Sequence, residues 1–245
     1  MSTQSHRYSG HLRLNDFDEE SQKLIEESSI LIMGIGGIGT IASLYLVNSG
    51  VGKIILCDYD TIEISNLPRQ VLFHENNINQ NKATVAKEKL HHFNPNVVIE
   101  SIDKKLNYAE LDQIISEVNI VIDCTDNIQT RLQLNEICIR NRIPMIMAAA
   151  IRYECHIAVF RNDSLIDGCL NCLYQSNDEN IETCEGNGIL SSVAGNAGIM
   201  ATTEAIKILI GHKTELNSRI SIFDLKNNYY QSFKIKKSNS CDLNH

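Results

Sequence analysis

The sequence lacks the features that would indicate a multidomain or nucleic-acid-binding protein. Only 3 of its 245 residues are prolines, and no repeat, low-complexity tract or linker rich in Pro, Gly or Ser divides the chain. It contains no run of five or more basic residues, and its formal net charge is −8. Because nucleic-acid binding requires clustered Lys and Arg, no nucleic-acid partner is expected. We therefore expect a single domain of residues 1–245.

Secretion and membrane insertion are also disfavoured. The N-terminus, MSTQSHRYSG, lacks the apolar core of a signal peptide. The most apolar long segment, 188–210, contains Asn196, Glu204 and Lys207, which favours a buried helix over a membrane span. These absences predict a cytoplasmic protein with no membrane association. Its 8 cysteines are then expected to be reduced, metal-bound or catalytic rather than paired in disulfides.

What the sequence does contain is an alternation of short apolar runs and helical patterns. Strands are predicted at 29–34, 53–58, 97–102, 119–124 and 143–149, and helices at 16–27, 37–49, 79–92, 108–117 and 127–141. After residue 150 the pattern predicts a strand at 154–161, a long loop at 162–187, a helix at 190–210 and a hairpin of strands 219–224 and 229–236. The predicted fold class is α/β, a Rossmann-like, doubly wound parallel sheet continued by an antiparallel C-terminal half in one domain.

A glycine motif, GIGGIG, joins the first predicted strand to the next helix. Its glycines, Gly34, Gly36, Gly37 and Gly39, would let backbone N–H groups at a helix N-terminus approach phosphates. Asp58 follows 19 residues later at the end of the second strand, where such folds bind ribose. These residues alone leave open a nucleotide-binding fold of unspecified chemistry.

Further polar residues favour the binding of a triphosphate. Asn66 and Arg69 follow Asp60 in SNLPRQ, and Arg presents planar donors suited to phosphate. Lys82 lies near the predicted start of a helix, although taken singly it could equally be a solvated helix residue.

The fourth predicted strand ends in DCTDN. A carboxylate there suits Mg²⁺, which bridges one or two carboxylates to phosphates. Asp126 could instead cap the helix that starts near Asn127, and Asp123 could share either role.

Taken together, the motifs of the chain resemble those of the ThiF/MoeB/HesA family, bacterial relatives of ubiquitin-activating enzymes. The motifs that carry the resemblance are GIGGIG, DYDTIEISNLPRQ, Lys82, FNP at 93–95, DCTDN, CLNC and TEAIKIL. The resemblance spans about residues 7–241. It implies a homodimeric adenylyltransferase that uses ATP and Mg²⁺ to activate the C-terminal Gly-Gly carboxylate of a ubiquitin-like sulfur carrier protein, ThiS- or MoaD-like. The pathway would be thiamine or molybdopterin biosynthesis, with a separate protein as sulfur donor. Residues 28–150 would form the nucleotide-binding half, and 151–245 the carrier-binding and zinc half.

The same resemblance implies a set of site residues. Arg69, Lys82, Asp126 and Cys184 would be catalytic. The nucleotide and its magnesium would be held by Gly34, Gly36, Gly37, Gly39, Asp58, Asp60, Asn66, Arg69, Lys82, Asp126 and Asn127.

Two departures from the family pattern stand out. The family opens with an arginine that reaches across the dimer to the partner's ATP, and here Gly10 replaces it. Either Arg7 or Arg13 substitutes, or adenylation is slower or altered. At the metal, Cys169 and Cys172 match the first zinc pair, but the second pair is replaced by Cys241 and His245. A Cys₃His zinc site is chemically sound, and a degenerate or empty site is the alternative.

Cys184 in the long loop would attack the acyl-adenylate in ThiF-like relatives. The neighbouring Glu182 and Glu185 would raise its pKa, so a passive cysteine is the alternative.

Three other functions stay open. These are adenylation of a different acceptor such as a peptide, non-catalytic carrier binding, and NAD-dependent oxidation, which no His, Tyr or Lys arrangement favours.

Overall fold

Eight strands form one sheet in the computed structural model, which describes residues 7–164, 167–174, 188–239, 241 and 243. The strands are β1 Ser29–Met33, β2 Lys53–Cys57, β3 Val98–Ile102, β4 Ile120–Asp123, β5 Met145–Ile151, β6 Glu154–Phe160, β7 Arg219–Asp224 and β8 Tyr229–Lys234. Their order across the sheet is β3-β2-β1-β4-β5-β6-β7-β8. The first five strands in this order, from β3 through β2, β1 and β4 to β5, pair in parallel. The remaining pairs, from β5 through β6 and β7 to β8, are antiparallel. The predicted fold class is confirmed.

Seven α-helices are found in the described part of the chain. They are α1 Glu19–Glu26, α2 Gly37–Asn48, α3 Lys82–Phe93, α4 Tyr108–Ser116, α5 Ile128–Asn141, α6 Leu170–Leu173 and α7 Ser191–Leu209. Short 3₁₀ helices add His11–Arg13, Ile64–Asn66 and Glu75–Asn77. None of the helices in this part of the chain is both long enough and apolar enough to cross a membrane.

Side-chain caps set the starts of four helices. Asp18, Asn81, Asn107 and Asn127 each accept a backbone N–H from the first turn of α1, α3, α4 and α5. Such caps satisfy N–H groups that a helix leaves unpaired. The caps explain why α1 begins later than the periodicity predicts.

The central parallel strands β1, β2 and β4 are buried on both faces, as expected for parallel strands. Alternate residues of β1 enter two separate clusters, with Ile30 and Ile32 in one and Leu31 and Met33 in the other. Apolar residues of α2, α3 and α7 belong to the first cluster, and those of α4 and α5 to the second. This packing holds the strand ends of the parallel region rigidly in place.

Two local predictions need correction. The sequence predicts Leu24 and Ile25 on the buried side of the first helix. Ile25 is buried, but Leu24 is 39% exposed, and Gln22 is buried instead because its amide donates to the Ser49 carbonyl. The predicted loop at 162–187 contains the one-turn helix α6, whose first N–H donates to the Asn135 side chain. A four-residue helix held by a distant side chain is too short to show a helical period.

Candidate active site

The carboxyl ends of the central parallel strands stop level with one another. Met33 at the end of β1 is in register with Cys57 of β2 and with Asp123 of β4. The chain order reverses between β1 and β4, and ligands of such sheets bind at this position. A cavity of about 680 Å³ opens there.

The cavity brings together residues from GIGGIG, DYDTIEISNLPRQ and DCTDN, together with Lys82. Its lining includes Gly34, Gly36, Gly37, Asp58, Asp60, Asn66, Arg69, Gln70, Lys82, Lys104, Lys105, Asp126, Asn127, Arg131, Ala149, Ala150 and Ala194. Gly39 is not among these lining residues.

The glycine loop is shaped by close backbone contacts. Gly34 has a φ of +87°, and a Cβ there would lie 2.9 Å from the Cys124 carbonyl oxygen. A Cβ at Gly39 would lie 2.0 Å from the Gly34 carbonyl oxygen. Gly36, by contrast, caps the N-terminus of α2 with ordinary room around it, so its backbone faces the open cavity. Of the four predicted glycines, Gly34 and Gly39 therefore close the turn, Gly37 lies against Ala194 and Arg69, and Gly36 borders the anion-attracting helix N-terminus.

Asp58 links the second strand to the glycine loop. Its Oδ2 accepts the Ile35 N–H at 2.7 Å and its Oδ1 accepts the Asp60 N–H at 2.9 Å. Burial raises the pKa of this carboxyl, and the nearby Lys82 ammonium opposes the rise. Each carboxylate oxygen keeps acceptor capacity for a hydroxyl from the cavity.

Lys82 is the first residue of α3 and is only 8% exposed. Its Nζ lies 3.0 Å from Oδ2 of Asp60, which is itself half-exposed. The alternative of a solvated helix residue is therefore wrong. The ammonium is held at the cavity by a carboxylate that water can still reach.

A tight turn after Asp60 carries the predicted amide and guanidinium. The Asn66 side chain accepts the Glu63 N–H at 3.1 Å, which anchors the 3₁₀ helix. The Arg69 guanidinium donates to the Ser65 carbonyl at 2.9 Å, and its aliphatic part lies against Gly37. Arg69 thus lies directly over the glycine loop.

Asp123 and Asp126, the two acidic residues at the end of β4, have different roles. Asn127, not Asp126, caps α5, because its side chain accepts the Thr130 N–H at 3.0 Å. The exposed Asp126 lines the cavity without that role. Asp123 is 0% exposed, and its Oδ1 accepts the Thr125 N–H and hydroxyl at 2.9 and 2.6 Å. Asp123 therefore shapes the loop from beneath.

Arg131 completes this loop and was missed at the sequence level. Its Nε lies 3.6 Å from Asp123 Oδ2, and its guanidinium donates to the Thr125 and Ala148 carbonyls. Burial raises the pKa of Asp123 despite this cation. Arg131 follows the DCTDN motif by four residues, and this proximity could have identified it as a candidate site residue. Gln70 was missed in the same way, although it ends the SNLPRQ motif.

Three cysteines meet at the short helix α6. Cys169 Sγ lies 3.7 Å from Cys172 Sγ and 3.7 Å from Cys241 Sγ. Thiolates bound to one tetrahedral zinc ion at ~2.3 Å lie ~3.8 Å apart, so this spacing fits zinc. The fourth predicted ligand, His245, and the predicted nucleophile, Cys184, lie outside the described residues.

The N-terminal segment separates the two candidate arginines. Arg7 donates to the Phe93 carbonyl at 3.1 Å, while Arg13 is exposed at the end of its 3₁₀ helix. Gly10 adopts φ −66° and ψ −41°, and a Cβ there would have nothing within 4 Å. None of these three residues lines the cavity of its own chain.

Comparison with known proteins defines the class to which this fold and site belong. A sequence model of the ThiF family matches residues 8–243, and the chain belongs to that family. It is 36% identical over 239 residues to the molybdopterin-synthase adenylyltransferase of Escherichia coli K12, covering 97% of this chain and 95% of that protein. It is 33% identical over 237 residues to the sulfur carrier protein ThiS adenylyltransferase of the same strain, covering 97% and 94%. The predicted enzyme class, an adenylyltransferase of the ThiF/MoeB type, is confirmed by these names.

Solved structures share the fold. E. coli MccB with ATP superposes with a TM-score of 0.86 at 23% identity, over 100% of this chain and 75% of MccB. PaaA gives a TM-score of 0.81 at 22% identity, over 97% of this chain and 76% of PaaA. At these identities the likeness concerns the fold alone.

Proposed function

We propose that this protein adenylates the C-terminal Gly-Gly carboxylate of a ubiquitin-like sulfur carrier protein, with ATP as the donor and pyrophosphate as the leaving group. One observation carries the proposal: the glycine loop, Asp58, Asn66, Arg69, Lys82 and Asp126 all border one cavity at the sheet's switch point. The similarity to two adenylyltransferases of this kind over nearly their whole length supports the acceptor class.

The proposed reaction needs alignment and charge neutralisation rather than a protein nucleophile. An oxygen of the acceptor carboxylate attacks the α-phosphorus, and the bond to pyrophosphate breaks. Two anions must approach, so positive charge and N–H donors around them stabilise the transition state. Arg69, Lys82 and the N–H groups near Gly36 supply these donors, and Asp58 would hold the ribose. Asp126 would hold magnesium, which neutralises phosphate charge when bound.

Lys82 requires a change of partner in this scheme. Its ammonium is paired with Asp60, whose side chain is 55% exposed. An arriving polyphosphate presents more negative charge than one solvated carboxylate, so it would draw Lys82 away from Asp60. Asp60 would thus keep the lysine side chain oriented before ATP binds.

We propose that, in a homodimer, Arg13 is the arginine that reaches the partner subunit's ATP. In a 3₁₀ helix, residues three apart eclipse one another, so Arg13 projects on the same side as position 10. Arg7 is the weaker candidate because its guanidinium is bonded to the Phe93 carbonyl. Arg13 would therefore reach the partner subunit's nucleotide in place of the arginine that Gly10 replaces.

Zinc is proposed for Cys169, Cys172 and Cys241, with His245 as the fourth ligand. Its role would be structural, because Asn135 on α5 accepts the Leu170 N–H and donates to Asn171 beside the cysteines. Metal analysis should find one zinc per chain, and His245→Ala should lower that content. Less than half a zinc per wild-type chain would instead support an empty site.

Cys184 is proposed to displace AMP from the acyl-adenylate. The expected product is a carrier-linked species that survives denaturation, disappears with dithiothreitol and is absent in Cys184→Ser. A passive cysteine would give no such species.

The main test uses Asp126→Ala. We expect it to abolish carrier-dependent ATP–pyrophosphate exchange while leaving the unfolding midpoint unchanged, because Asp126 is exposed and caps no helix. Asp163→Ala, an exposed aspartate paired with Arg161 away from the cavity, is the matched control. Near-normal exchange in Asp126→Ala would contradict the proposal. Adenylated carrier is then sought by intact mass with thiamine-type and molybdopterin-type carriers in parallel, and a peptide acceptor tests the alternative substrate.

A further inference from the structure

Gln70 is a buried residue of the cavity wall that the described residues leave without a side-chain partner. It is 3% exposed, and its carboxamide oxygen accepts no hydrogen bond. Its backbone, in contrast, is well anchored: the N–H donates to the Asn66 carbonyl at 3.0 Å and the carbonyl accepts the Phe73 N–H at 3.0 Å. The turn therefore fixes the backbone position from which the side chain extends.

That place is unfavourable for an amide, because the buried carboxamide oxygen finds no donor among the described residues. A buried polar group without a partner destabilises a fold, and an apolar side chain of the same shape would be tolerated or preferred. Residues that oppose stability in this way are concentrated at functional sites. Gln70 therefore requires a functional reason.

The surroundings indicate what the ligand is. The Gln70 Nε2 atom lies 3.7 Å from the position of a Cβ on Gly36, at the N-terminus of α2. Helix N-termini attract anions, and the Gln NH₂ group is a hydrogen-bond donor. The neighbouring Arg69 adds positive charge on the same side. A phosphate oxygen above Gly36 is the group that these donors match.

We propose that Gln70 is a nucleotide-contacting residue whose NH₂ group donates to a phosphate oxygen of ATP above Gly36. The inference rests on the proposed function only in that this cavity takes ATP. It adds a neutral donor beside Arg69 and Lys82, in a position where the apo protein gains nothing from an amide.

The test compares Gln70→Met with a matched control, Gln22→Met. Methionine has a similar shape but cannot donate. Gln22 is also buried, yet its amide donates to the Ser49 carbonyl at 3.1 Å and lies away from the cavity. Unfolding midpoints are measured without and with MgATP, and MgATP affinity is measured by titration.

For Gln70→Met we expect an apo midpoint that is unchanged or raised, and a MgATP Kd weakened roughly 3- to 10-fold by the lost hydrogen bond. Gln22→Met should do the opposite, with a lower apo midpoint and an unchanged Kd. Gln70→Glu, which directs a carboxylate at the phosphate, should weaken MgATP binding more than Gln70→Met does.

Two results would overturn the inference. One is a Gln70→Met protein that binds MgATP as tightly as the wild type, and the other is a lowered apo midpoint with unchanged affinity. A wild-type protein that binds MgATP but shows no ATP–pyrophosphate exchange with any carrier would contradict the proposed function without contradicting the inference about Gln70. A wild-type protein that binds no MgATP would overturn both.

Discussion

The buried ion pair beneath the β4–α5 loop offers the sharpest energetic prediction. Asp123 is fully buried and Arg131 nearly so, and their 3.6 Å separation corresponds to roughly 4–5 kcal/mol of attraction at an effective dielectric constant of about 20. Asp123→Asn keeps the shape of the side chain but leaves the Arg131 cation unpaired. Removing one partner of a buried pair costs about 3–5 kcal/mol, so we expect a loss of that size in the free energy of unfolding.

The assay is urea-induced unfolding of three variants beside the wild type. Asp123→Asn should be strongly destabilised, whereas Asp123→Asn combined with Arg131→Met should recover most of the loss, since no buried charge remains. Asp112→Asn is the control, because Asp112 forms an ion pair with Arg140 at the surface, where water screens the charges. It should lose far less stability than Asp123→Asn.

A functional consequence accompanies the loss of stability. Asp123 and Arg131 both bond to Thr125, the residue before Asp126. At a temperature where Asp123→Asn is still folded, its affinity for MgATP should be lower than that of Asp112→Asn. A loss of stability below about 1 kcal/mol, or one equal to that of Asp112→Asn, would refute the reasoning about burial.

Three other predictions concern separate parts of the chain. Gly39→Ala should lower stability by roughly 2 kcal/mol or more in urea unfolding, because its Cβ would lie 2.0 Å from a carbonyl oxygen, whereas Gly36→Ala should keep the fold. Gly10→Arg should fold normally, since that position is open, and should speed carrier-dependent exchange. Arg13→Ala should slow the exchange, and unchanged rates in both variants would contradict a role of Arg13 at the partner subunit's nucleotide. Burial raises the pKa of Cys155 to about 11, so iodoacetamide at pH 8 should alkylate it only after unfolding, as mass spectrometry can check.

Local patterns in the sequence were enough to predict the glycine loop and its acid. The turn after β1 has no room for a Cβ at Gly34 or Gly39, so these glycines could be predicted from the motif. Asp58 could be predicted because one βα unit separates the glycine loop from the end of the second strand. The order of helices and strands was predictable for the same reason, because each element has its own hydrophobic period. Helix caps shifted only the boundaries.

Long-range contacts explain what was missed. Gln70 and Arg131 lie beside predicted motifs, but only packing shows that one has no partner and that the other pairs with a buried carboxylate. Asp126 was the candidate cap of α5, but α5 begins one residue later than predicted and Asn127 caps it instead. Cys169 and Cys241 are 72 positions apart, so their contact depends on the whole antiparallel half of the sheet.

The sequence by itself determined the family, the α/β class and the residue types of the nucleotide cradle, because these depend on short-range spacing along the chain. Tertiary structure alone decided which of those residues face the cavity and which support it from below. Burial and pairing are set by parts of the chain far apart in sequence, and these determine whether a carboxylate such as Asp123 stabilises a loop or one such as Asp126 stands free to bind a ligand.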